Sequence, residues 1–179
     1  MILEKPKVKW PPILALYVPR MNKAYAMRFV KEHLIQKEIV VSSPGKMLAL
    51  SHQYMCETVE AYYFPRVYVR PLGQKPLPEA TLTVKLDEEI LIERELSFFA
   101  SLAEPLDCMK SYSWQQTIES YKALALQPDG NADPKRQLGF MMPTNDVLQV
   151  YLSGIRVEAS LEVGILSALY STKSKENKS

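Results

Sequence analysis

From residue 148 the chain alternates. Leu148, Val150 and Leu152, then Ile155, Val157, Ala159, Leu161, Val163 and Ile165 are apolar, with polar or small residues between them. A period of two sends successive side chains to opposite faces of a strand, so this run is β structure with one face buried. An all-helical fold is excluded. Ser153-Gly154 falls between the two halves as a tight turn, which predicts a long terminal hairpin. A second pair of alternating runs, Thr81 to Leu86 and Ile90 to Glu93, flanks Asp87-Glu88-Glu89 and predicts another hairpin.

Elsewhere the spacing reads as helical. In residues 22–36, Met27, Val30 and Leu34 share a face with Ala26 and Phe29, Arg28, Lys31 and Glu32 lie opposite, and Asn22 caps the start. Residues 46–63 read as a second, more buried helix with Gln53, Glu57 and Glu60 as its polar stripe, stopped by Pro65. A third follows Ser113, with Trp114, Ile118, Tyr121 and Ala125 inward. Short strands are expected at Ile13 to Val18, Glu38 to Val41 and Val67 to Arg70. The expected fold is therefore α+β: an antiparallel sheet built from hairpins, with two to three helices packed on one face. Residues 13–171 form a single globular domain. Residues 1–12 form a flexible, basic, proline-rich arm, and 172–179 a disordered polar tail.

At 179 residues and 47% hydrophobic, the chain can bury a core without disulfides or metals. Cys56 and Cys108 are its only cysteines and stand far apart, which suits a reducing compartment. No run approaches the ~18 apolar residues of a membrane span. The first residues lack the apolar core of a secretory signal. The expectation is an intracellular protein (cytoplasm, nucleus or organelle matrix), not secreted.

The net charge of +2 hides an asymmetry. Residues 1–37 carry eight bases (Lys5, Lys7, Lys9, Arg20, Lys23, Arg28, Lys31 and Lys37) against Glu4 and Glu32, a surplus of six. A basic end of this kind is suited to an acidic partner, and the arm is also compatible with peripheral membrane contact. The competing reading is lysines that solvate a mobile terminus.

Common catalytic signatures are missing. There is no G-x-G-x-x-G, no C-x-x-C, no H-E-x-x-H and no G-x-S-x-G. Ser43-Pro44-Gly45-Lys46 lacks the upstream glycine and following hydroxyl of a phosphate loop. Asp129-Gly130-Asn131-Ala132-Asp133 opens like a calcium loop, but Pro134 stands where a glycine is needed. No cofactor or metal is implied. His33 and His52 fall on the apolar sides of the first two expected helices, with Cys56 one turn beyond His52. They read more simply as core histidines than as an acid–base or nucleophilic pair.

The most suggestive stretch is Tyr63 to Arg70. Strand alternation puts Phe64, Arg66, Tyr68 and Arg70 on one face, a set that can stack bases and pair phosphates. With Lys5, Lys7 and Lys9 of the arm, these are the candidate nucleic-acid contacts. The competing reading is a half-buried strand whose arginines pair with Glu93 and Glu95. Trp10, between Lys9 and two prolines, is a candidate docking anchor. Leu166 and Leu169 lie in a terminal run that is apolar on both faces, which reads as a template for a second copy and hence a homo-oligomer. The expected function is a non-enzymatic structural or assembly protein. It self-associates and contacts RNA, a nucleoprotein or another acidic partner through its basic arm, as viral matrix-type and ribonucleoprotein-accessory proteins behave. The alternative is a small enzyme with a His/Cys site between the first two helices.

Overall fold

A computed structural model describes residues 9–18, 22–55, 61–73, 76–97, 123–125, 138–141 and 146–172. Among them are ten strands: β1 (Ile13–Val18), β2 (Lys23–Val41), β3 (Met47–Gln53), β4 (Ala61–Pro71), β5 (Thr81–Leu86), β6 (Glu89–Glu95), β7 (Ala123–Ala125), β8 (Leu138–Met141), β9 (Val147–Ser153) and β10 (Ala159–Ser171). All pairings are antiparallel. Strands β1-β2-β10-β4-β8-β7 close into a barrel, and β3-β9-β5-β6 form a separate four-stranded sheet. Among the described residues no helix is long and apolar enough to cross a membrane.

The α+β expectation is thus overturned: the described chain is almost all antiparallel β, and its helices are absent. Residues 22–36, expected as a helix, lie in β2, and Asn22 is no N-cap but a turn residue at φ 50°. The reason for the misreading lies in one bulge. Strand β2 pairs with β10 so that Leu169 faces Lys31 and Tyr170 faces Phe29, leaving Val30 over. An extra residue shifts the alternation by one. Tyr25, Met27 and Phe29 point into one core, and Val30, Ile35 and Ile39 into another. Across the slip, Met27 and Val30 stand three apart, which imitates a helical step. The 46–63 segment contains β3 and the first residues of β4, and β3 carries a similar slip between Leu48 and Leu50. Of the third expected helix, residues 123–125 are strand β7, and Ser113, Trp114, Ile118 and Tyr121 lie outside the described residues.

The hairpin at 81–95 forms as its alternation predicts, with Asp87 at φ 52° in the turn. The terminal hairpin does not. Both runs are strands, but β9 pairs with β3 and β5 while β10 pairs with β2 and β4. Gly154, at φ 83°, begins the crossing from one sheet to the other. Positive φ is inexpensive only for glycine.

Two cores result. Leu161, Val163, Ile165 and Leu169 of β10, with Tyr63 and Val67 of β4, meet Leu50, Leu82, Val84, Leu148 and Val150 of the four-stranded sheet. The opposite face of β10 and β4 supplies Ala168, Tyr170, Tyr62 and Phe64 to the barrel interior, where they meet Leu14, Leu16, Val18 and Met27. Strand β10 separates the two cores and is buried from Leu161 to Ser171. Leu166 is 0% and Leu169 6% exposed. With strands on both of its edges and apolar layers on both faces, β10 offers no open template for a second copy.

Candidate functional site

Strand alternation does place Phe64, Arg66, Tyr68 and Arg70 on one face of β4, opposite Ala168, Leu166, Gly164 and Glu162 of β10. The face is occupied from within the chain. Phe64 is 1% exposed and meets Tyr170 edge-on at 5.3 Å in the barrel interior. Tyr68 is also 1% exposed; its ring covers Gly164 and its hydroxyl donates to Gln36 Oε1 at 3.2 Å. Burial, followed by the carboxylate of Glu162, pushes the Tyr68 phenol up to about 12, and Arg70 works against that rise. Neither ring is presented to a base.

Arg70 donates through Nε, at 3.0 Å, and through Nη2 to Glu162 Oε2. Glu162 is 4% exposed, so its charge is compensated by this charge-assisted pair. The expected partners, Glu93 and Glu95, are elsewhere: Glu93 accepts from Thr83 Oγ1 at 2.7 Å and bridges to Lys46 at 3.8 Å. Arg66 lies over the Trp10 ring at 5.5 Å, and Trp10 Nε1 donates to Glu32 Oε2 at 2.6 Å. Trp10 therefore docks on its own domain. Phe29 N donates to the Pro12 carbonyl and the Tyr170 hydroxyl to that of Pro11, so residues 10–12 are stitched to the barrel. Lys9 is exposed; Lys5 and Lys7 lie outside the described residues.

The histidines come together. His33, exposed on β2, and His52, half-buried on β3, have ring centroids 5.4 Å apart and planes tilted by 36°. The pair spans the gap between barrel and four-stranded sheet. Tyr54 stands edge-on to His52 at 4.6 Å and shares a 2.6 Å hydrogen bond with the buried Ser167 Oγ. Burial, then the neighbouring His33, lowers the His52 pKa below the ordinary 6.5. Burial raises the Tyr54 phenol above its usual range, so it stays protonated. Cys56 and the Asp129–Asp133 loop lie outside the described residues. Among the described residues no group of three or more His, Cys, Asp or Glu is placed to hold a metal ion.

Sequence reasoning missed Glu162 and Ser167. Each sits in an apolar run, and only the register with β4 and the return of Tyr54 supply their partners. Of the eight bases in residues 1–37, Lys23, Arg28 and Lys31 were expected on a helix. These three lie instead on β2, where they and Lys37 are all exposed. No family model, curated protein or solved structure matches the chain.

Proposed function

We propose that the protein is a non-enzymatic structural or assembly component whose basic N-terminal third contacts an acidic or nucleoprotein partner inside the cell. The observation that supports this reading is β2. It carries Lys23, Arg28, Lys31 and Lys37 exposed along a single strand, with Lys9 exposed upstream. At ~3.3 Å per residue, Lys23 to Lys37 covers roughly 45 Å. That length spans several phosphates of a nucleic acid, and each phosphate neutralised releases counterions. In this reading the contact surface is β2 rather than the Phe64–Arg70 face, whose two rings are buried. Self-association, in this reading, uses open sheet edges rather than Leu166 and Leu169. From Val30 onward the outer edge of β2 has no strand beside it among the described residues, and β3 and β6 are edges of their sheet.

The test is binding of a fluorescent single-stranded RNA across a salt series. Log affinity should fall linearly with log salt. The double charge reversal Lys31→Glu/Lys37→Glu should weaken binding at least about tenfold without lowering the thermal midpoint. An absence of binding at low salt would remove the reading.

The His33–His52 approach favours a second reading, a small enzyme. A lowered His52 pKa leaves the imidazole neutral near pH 7, the form a general base requires. Turnover of any substrate by the wild type and not by His52→Asn would support it over the first.

A further inference from the structure

The chain has two histidines in 179 residues, 19 positions apart, and the fold brings them to one spot. They reach it on different sheets, His33 from β2 and His52 from β3. Two imidazoles on one tetrahedral ion, at Zn–N distances of about 2.0–2.1 Å, have ring centres roughly 5 Å apart. The observed separation is 5.4 Å.

We propose that His33 and His52 form a two-imidazole site for a borderline divalent transition ion, zinc or copper(II), which ties β2 to β3. Imidazole nitrogen selects such ions over calcium and magnesium, which take oxygen ligands. The surroundings suit the role. Tyr54 packs edge-on against His52 at 4.6 Å and limits how that ring can turn, as a supporting shell does for a ligand. The Tyr54 hydroxyl is engaged with Ser167, so the tyrosine supports without ligating. His33 is exposed, which gives an ion a path from solvent. With two protein donors, the remaining coordination positions go to water or to an atom of a bound molecule. The inference does not depend on the polyanion reading, because it concerns the join between the sheets.

The experiment uses untagged full chain stripped with a chelator, since a histidine tag would compete. Zinc chloride is added while thermal unfolding and binding heat are followed. The expected result is a single ion per chain and a rise in midpoint of about 5 °C or more at zinc roughly 100 times Kd. Magnesium should give no rise. His33→Ala alters an exposed side chain and should fold, yet lose the zinc response. Copper(II) bound to the wild type should show two coupled nitrogens in its electron paramagnetic resonance spectrum, and His33→Ala should reduce them to one. A wild type without a zinc-dependent rise, an equal rise with magnesium, or an unchanged response in His33→Ala overturns the proposal.

Discussion

Gly164 is the position at which the central strand tolerates no side chain. A methyl group there would overlap the Tyr68 ring, which Gln36 holds in place. Gly164→Ala should therefore destabilise by about 1–3 kcal/mol through overpacking. Denaturant unfolding of Gly164→Ala, Tyr68→Ala and the double variant should reveal coupling, because removing the ring relieves the overlap. Arg70→Ala would strand the 4% exposed carboxylate of Glu162. Loss of one partner from a buried pair costs about 3–5 kcal/mol, so this substitution should unfold the protein at lower denaturant rather than merely weaken binding. His52 sets a pH dependence. Its folded pKa lies below 6.5, so below pH 6.5 the unfolded chain takes up a proton that the folded chain resists. Stability of the metal-free protein should fall as pH drops below 6.5 and level off once the folded pKa is passed. His52→Asn should flatten this part of the profile, and His33→Ala should reduce it by removing the repelling neighbour. Equal pH profiles in all three proteins would contradict the assignment.

At the scale of the element, β10 decides the outcome of the substitutions that an oligomer would suggest. Leu166 and Leu169 are buried within the chain, so lysine at both sites buries two charges. Circular dichroism should show an unfolded chain, not a folded monomer. The same element explains what the sequence could disclose. Hairpin 81–95 was legible because its strands are neighbours and its turn is two residues long. Strands β9 and β10 were legible as strands, because alternation is a local property. Their partners were not, because β10 joins residues near 30 and near 65 from over a hundred positions away in the chain. Bulges did further damage: the slip at Val30 breaks one long alternation into spacings that resemble a helix. Phe64, Arg66, Tyr68 and Arg70 do share one face of β4, while the partners that cover it, Gln36 and Glu162 on other strands and Trp10 ahead of β1, are remote in the sequence. The meeting of His33 and His52 depended only on their two segments packing together, so it survives the change from helices to strands.

At the scale of the whole molecule, the barrel is closed by distant pairs: β1 with β7, and β10 with both β2 and β4. Loop-closure entropy must be met before such contacts form, so refolding from denaturant should take milliseconds to seconds rather than microseconds. Truncation before Ala159 removes the shared wall of both cores and should leave a chain with no cooperative unfolding transition. A chain is made from its N-terminus at about 5–20 residues per second, and domains ordinarily fold as they emerge. Here the wall follows both of the strands it joins. For many seconds β2 and β4 are on the growing polypeptide without β10 to join them, and each presents an edge that another nascent strand could pair with. Because β10 follows β2 and β4 in the chain, yield in cell-free translation should rise when chaperones that shield unfinished chains are added, and an unchanged yield would contradict this.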